Sequence, residues 1–453
     1  MSNDGAYMGE ELRDFLRTVD ASNLDALDIP VHLAGSEEWN TMDATERSPI
    51  LGGMLRNLVE RTKRHVPFYR KNWTNAPPPG MILDIDDLSA LPLVSKDSVP
   101  GTGSLEKNGI LGFRAALLAD PNLLVPDNLE ELIRRQEAAN PGHRAIVNRY
   151  GGRKILEFSS GGSQGRGTIT RLSYLAVEME AYALVRALRM NGLQSGQSIA
   201  CFYNDTHKGG LQLERAAQIM EMPFYSKRKI FEDLVIDSPY AKSVLGFQRL
   251  MAEGESELAN ERHGAEVRKG IREYIKSKRI QVVESVQPPT GYLANNQKGS
   301  ALAFMTLYEG DPSAFDSVEH VFLTGFSVPK TAYETLRERG IAVSTTWGSS
   351  EAMALGTHAI LAGDDVNNLI ATPFPTVGGV FWYRERDGVQ RLVPAPKGDE
   401  GILVVTSLIG AGSTYIQYRI GDKAICAEGG YRAIERSNIN DIAGSCASDA
   451  LGV

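Results

Sequence analysis

The 453-residue sequence predicts an α/β fold built around parallel strands. Three observations predict it. Short apolar runs of strand length recur between residues 199 and 406. Segments with helical periodicity separate those runs, the alternation expected when crossover helices connect parallel strands. The composition, 42% hydrophobic and 23% charged, is ordinary for a packed globular protein.

In chain order, the first helix is expected over Ser48–His65. Ser48 offers a cap, Pro49 suits the first helical position, and Leu51, Leu55, Leu58 and Val59 share one face. Pro77–Gly80 interrupts regular structure. A second amphipathic helix follows near Asn128–Ala139, then a short strand, Ile155–Phe158. Ser173 opens a long helix that Asn191-Gly192 should stop. Strands are then expected at Ile199–Tyr203, Gln281–Val286, His320–Leu323, Ile341–Ser344 and Ile402–Thr406, with helices at Leu211–Met222 and Thr331–Arg339. The charge-rich stretch 252–278 reads as a solvated helical insertion.

Charge narrows the partners. With 48 Lys+Arg against 56 Asp+Glu, the net charge is −8. That balance argues against nucleic acid or an anionic membrane, which require clustered cations. No run of about 18 uncharged apolar residues is present, so no bilayer span is expected. Cys201, Cys426 and Cys446 are scattered and form no CxxC, which suits a reducing, cytoplasmic setting and not a disulfide framework.

Three segments carry candidate chemistry. Ser159–Thr168, directly after a strand, is rich in Gly and Ser, so its backbone N–H groups can approach phosphate oxygens while Arg166 adds a positive charge. It is neither a Walker A loop, since Thr168 stands where the lysine belongs after Gly162–Gly167, nor a dinucleotide fingerprint. Thr345–Glu351 offers an aromatic, a glycine, hydroxyls and a carboxylate, suited to stacking a base and holding a hard cation. Tyr418–Asp422 ends in a carboxylate able to accept both hydroxyls of a ribose. Read singly, the three also suit an exposed loop, a turn with Trp347 in the core, and a β-turn closed by Gly421-Asp422.

In that order the segments resemble those of the adenylate-forming superfamily, with the nearest similarity to phenylacetate–CoA ligases. His65–Arg70 (HVPFYR) and Leu91–Asp97 (LPLVSKD) are similar to stretches that those ligases carry ahead of the phosphate loop. The resemblance covers about residues 55–437. It implies a large multi-sheet α/β N-terminal domain (residues 1–437), followed by a hinge and short tail (438–453), with the C-terminal lid domain absent or vestigial. Arg166 stands where a lysine is common, and Asn438 where the hinge has an aspartate.

The resemblance also implies roles. Ser159, Ser160, Gly161, Gly162, Ser163 and Gly165 would lie over the phosphates of ATP, with Arg166 acting on them. Thr324, Gly325, Thr346, Trp347 and Gly348 would contact the adenine side, Trp347 by stacking. Ser350 would lie near the α-phosphate, Glu351 would hold Mg²⁺, and Asp422 and Arg436 would bind ribose or phosphate. Tyr203, His207, Phe326 and Met353 would line the acid pocket. The implied activity is ATP- and Mg²⁺-dependent conversion of an aromatic or small hydrophobic acid to an acyl-adenylate, then transfer to an acceptor protein or a downstream biosynthetic enzyme. A homodimer is compatible with the resemblance. The alternative is a catalytically degenerate protein that binds nucleotide or acyl-adenylate.

Overall fold

The structure, a computed structural model, describes residues 11–73, 76–84, 86–91, 94–95, 120–159, 169–202, 208–236, 238–286, 300–324, 330–347, 356–357, 368–371, 374–386, 389–427 and 430–436. The chain divides into two compact units, one of residues 1–186, 349–356 and 370–453, the other of 187–348 and 357–369.

The first unit begins with helices. The helix Ala44–His65 starts four residues before the expected Ser48. Asp43 caps it in a reciprocal capping box with Glu46, a stronger start than a lone serine, so Pro49 falls inside the first turns. The predicted face holds: Leu51, Leu55, Leu58 and Val59 are all buried. After Pro67–Asn72, the strand β1 (Val94–Ser95) and the helix Leu129–Ala139, an antiparallel hairpin is formed by β2 (Ile155–Ser159) and β3 (Ile169–Ser173). The helix Tyr174–Met190 then runs to Asn191-Gly192, where Gly192 takes the left-handed φ of +84° expected at a helix end.

Around these helices, ion pairs join distant segments. Asp25, buried, meets Arg61 at 3.0 Å and Arg135 at 3.1 Å. Nearer the surface, Asp127 accepts from Arg70 Nη1 at 2.8 Å and lies 3.0 Å from His65 Nδ1. Arg70 foremost, then His65, hold the Asp127 carboxyl below the ordinary aspartate value of 3.8. A carboxyl lowered in the fold contributes stability that is fully present above the unfolded value and is lost as pH falls through the folded one. Asp127→Asn should therefore lower the urea midpoint slightly near neutrality, and the difference from wild type should shrink as pH falls below the ordinary aspartate value of 3.8. Titrating the midpoint against pH for both proteins checks this.

The second unit is a parallel sheet. Its strands are β4 (Ile199–Cys201), β5 (Phe224–Ser226), β6 (Val282–Val286), β7 (His320–Thr324) and β8 (Ala342–Trp347), in the order β5-β4-β6-β7-β8. Helices Lys208–Ile219, Lys227–Ile236, Ala241–Ala252, Ala265–Lys278, Ser300–Gly310 and Lys330–Glu338 connect or flank them. The charge-rich stretch is helical, but it is not simply solvated. Val267, Ile271, Tyr274 and Ile275 are buried and belong to the core cluster with Ile230, Phe247, Val283, Phe304 and Val321. Its charges occupy only the outward face of an amphipathic helix.

Two short strands follow, β9 (Gly356–Thr357) and β10 (Asn368–Ala371). The first unit is completed by antiparallel strands β11 (Thr376–Arg386), β12 (Val389–Pro394), β13 (Glu400–Ser407), β14 (Tyr418–Ala427) and β15 (Gly430–Arg436). They pair in the order β12-β11-β13-β14-β15, and β1 lies parallel to β14. Tyr418–Asp422 is therefore strand, not a turn. The ladder with β13 resumes across a register shift, from Arg419 opposite Val404 to Lys423 opposite Ile402, and Asp422 pairs with Arg436 on β15, so Gly421-Asp422 lies at an irregularity within the strand and does not end it.

Candidate functional site

The carboxyl ends of parallel strands are where open α/β sheets bind ligands, at the point where strand order reverses. In the second unit that point is β4, with β5 on one flank and β6 on the other. Thr324 and Thr346 are register partners, so β7 and β8 end level with one another. Thr346 is buried and Trp347 closes β8. Thr345, Thr346 and Trp347 thus belong to the strand itself, because β8 runs three residues beyond its predicted end. Beside the reversal, Cys201 and Glu284 are register partners, both buried, with the thiol 3.4 Å from the carboxylate. Glu284 belongs to none of the three motif segments, although an acid within the apolar run Val282–Val286 is a visible signal.

In the first unit, the Gly/Ser segment sits between strands that pair antiparallel, with Ser159 opposite Ile169. The strand leaving it, β3, is held along its length by the segment 408–417. Thr170 Oγ1 lies 3.0 Å from the Tyr415 hydroxyl, and both groups are buried. Arg171 N–H donates to Ser413 Oγ at 2.9 Å, Leu172 bridges to Gly412, and Ser173 N–H donates to Ala411 O at 2.9 Å. Gly412 has φ +142°, and a Cβ there would lie 2.2 Å from the Arg171 carbonyl oxygen, so only glycine allows this approach.

The same segment leads into β14, on which Asp422 is the register partner of Arg436 on β15. A carboxylate-bearing position and a guanidinium-bearing position are therefore paired in register on adjacent strands.

Both N-terminal stretches singled out by resemblance dock here. Tyr69, from His65–Arg70, places its hydroxyl 3.1 Å from Thr414 O, to which it donates, and 3.1 Å from Ile416 N–H, which donates to it. Burial pushes the Tyr69 phenol pKa upward, against the pull of the Ile416 N–H. Val94, from Leu91–Asp97, donates its N–H to Gln417 O, and Val94 and Ser95 pair with Tyr418 and Arg419.

Ser159, Asp422 and Arg436 are thus placed in the first unit, and Thr324, Thr346 and Trp347 at strand ends of the second. Ser160, Gly161, Gly162, Ser163, Gly165, Arg166, Tyr203, His207, Gly325, Phe326, Gly348, Ser350, Glu351 and Met353 lie outside the described residues. Among the described residues no His, Cys, Asp and Glu cluster is placed to hold a metal ion. No helix among them is long and apolar enough to cross a membrane.

No family model and no curated protein matches the chain. Solved structures do. An open conformation of 2-hydroxyisobutyryl-CoA ligase, in complex with 2-HIB-AMP and CoA, superimposes with a TM-score of 0.56 at 14% identity, covering 87% of this chain and 75% of that one. The same ligase in the thioesterification state, again with 2-HIB-AMP and CoA, gives 0.57 at 14% identity over 87% of this chain and 68% of that one.

Proposed function

The chain has the fold of the adenylate-forming enzymes, and from that premise we propose that it activates a carboxylic acid with ATP and Mg²⁺. A carboxylate oxygen of the acid attacks the α-phosphorus of ATP. The new O–P bond forms as the bond to the leaving oxygen breaks, giving an acyl-adenylate and pyrophosphate. The observation that carries the reading is the bracing of two motif segments by one stretch: 408–417 is bonded to β3 beyond the Gly/Ser loop and leads directly into the strand of Asp422.

In this reading the Gly/Ser loop and Arg166 surround the phosphates, Trp347 stacks on adenine, and Asp422 and Arg436 take the ribose and phosphate. Ser350 lies by the α-phosphate. Glu351 holds Mg²⁺, which supplies charge neutralisation on the phosphates. Tyr203, His207, Phe326 and Met353 line the acid pocket. The protein contributes in two ways. Holding the reactants in line is worth roughly 7–11 kcal/mol, and each fixed donor to developing charge about 2.7–4 kcal/mol.

The acid proposed is aromatic or small and hydrophobic, and the name of the structurally similar ligase, for 2-hydroxyisobutyrate, supports the small end of that range. The acceptor of the acyl group is a thiol, as for CoA in that ligase, or a nucleophile on a partner protein. Pyrophosphate exchange into ATP, run over a panel of aromatic and short-chain acids, tests the proposal. Exchange dependent on at least one acid is expected. Saturable ATP binding with no acid-dependent exchange would leave the degenerate binding protein as the answer.

A further inference from the structure

Tyr69 lies 345 residues from Thr414 in sequence, yet its hydroxyl is fitted between the two peptide groups on either side of Tyr415. It donates to the Thr414 carbonyl and accepts from the Ile416 N–H, so the backbone of Tyr415 is fixed from both flanks by one oxygen. The ring that presents this hydroxyl is fully buried and packs against Trp73 at 4.5 Å and edge-on to Phe68 at 5.2 Å. Such packing leaves the ring a narrow range of positions.

What Tyr415 holds in turn gives the contact its consequence. Its hydroxyl meets Thr170 Oγ1, two residues beyond the end of the Gly/Ser segment at Thr168. In the other direction the chain passes through Gln417, whose φ of +51° is a left-handed conformation that a side-chain-bearing residue adopts only when its neighbours impose it. Here the neighbours are identifiable. Gln417 N–H donates to Thr406 Oγ1 at 3.1 Å, and its carbonyl accepts from Val94 N–H at 2.9 Å. From Tyr418 onward the chain is strand and carries Asp422.

We propose that Tyr69 is a positioning residue for the nucleotide site. Its hydroxyl sets the Tyr415 backbone, and Tyr415 fixes the spacing between the end of the phosphate loop, through Thr170, and the ribose-binding strand. The inference rests on the proposed function, since it assigns those two elements to one nucleotide. It adds that an α-helical residue contacting neither substrate governs ATP affinity and not affinity for the acid.

The test is Tyr69→Phe, which keeps the ring and removes only the hydroxyl. The Thr414 carbonyl and Ile416 N–H lose their partner inside the protein, and the segment shifts to satisfy them. Calorimetry should show ATP·Mg²⁺ affinity falling about tenfold, the equivalent of about 1.4 kcal/mol. KM for ATP should rise by a similar factor in pyrophosphate exchange, while KM for the acid changes by less than about threefold. Amide hydrogen exchange should quicken in 411–419 and β3 and stay unchanged in the second unit.

Tyr415→Phe severs the link to Thr170 from the other end and should raise KM for ATP likewise. Because the two hydroxyls act in one chain of contacts, the double variant should lose less than the sum of the singles. Unchanged ATP affinity in Tyr69→Phe overturns the inference. So does an equal rise in both KM values accompanied by faster exchange throughout the chain, since that marks a purely structural role. Failure of the wild-type protein to bind ATP would be seen before any variant is made, and removes the proposed function itself.

Discussion

With Glu351 as the proposed Mg²⁺ carboxylate, Glu351→Gln should lower acid-dependent pyrophosphate exchange by about 10²–10³-fold and leave ATP affinity within about threefold of wild type. The amide keeps the shape of the carboxylate and removes its charge. A nucleotide-bound divalent cation usually takes only one or two protein carboxylates, the rest of its ligands being phosphate oxygens and water. Ground-state binding therefore survives, because most of the cation's ligands remain. In the proposed role Glu351 would hold the Mg²⁺ that neutralises charge on the departing pyrophosphate, so its loss should appear in kcat. A degenerate binding protein gives a different result, with no exchange in either form and equal affinity. Exchange kinetics with wild type and variant side by side, together with ATP titrations of each, separate the two cases.

The largest expected effect on stability lies far from any motif. Arg186, near the end of the helix Tyr174–Met190, is fully buried. Its guanidinium donates to Ala34 O at 3.0 Å and to Phe374 O at 2.6 Å, while Nε has no partner among the described residues. Phe374 in turn stacks on Trp39 with ring centroids 4.7 Å apart. One side chain thus joins three segments of the first unit that are remote in sequence. Burial pushes the Arg186 pKa down to about 9, which still leaves it charged at neutral pH.

Two terms oppose one another when Arg186 is removed. Losing a buried charge relieves a desolvation penalty. Against this, two buried carbonyls are left unpaired at about 1–3 kcal/mol each, and truncation opens a cavity. For Arg186→Ala the second group dominates, and a net loss of about 3–5 kcal/mol is expected, a large part of the roughly 5–15 kcal/mol that separates folded from unfolded chains. Arg186→Met fills the volume and removes the charge, so it should recover part of the loss. Urea unfolding at pH 7 measures both, and an alanine variant as stable as wild type would show that the two carbonyls find other donors.

Elements with local signals were legible in the sequence. Leu129–Ala139 and Tyr174–Met190 fall within two residues of their expected limits, because periodicity and an Asn-Gly stop signal are read along one stretch of chain. Four of the five parallel strands of the second unit, β4, β6, β7 and β8, were legible for the same reason, while the three-residue edge strand β5 was not expected. The segment 408–417 was not. It carries no local motif, and its partners Tyr69, Thr170 and Arg171 lie elsewhere in the sequence. The extent of β14 was hidden by Gly421-Asp422, a turn signal that only tertiary pairing overrides. His65–Arg70 stood out by resemblance, but its grip on Thr414 and Ile416 became visible only in three dimensions. The likeness to solved ligases bears out the fold that the motifs implied.

On the proposed function, 159–168, 345–351 and 418–422 all respond to one purine nucleotide. Amide hydrogen exchange of the whole chain, with and without ATP·Mg²⁺, tests this most directly. Slower exchange is expected in peptides from all three segments at the same ATP concentration. Protection confined to one of them, or absent from all three under saturating ATP, would contradict it.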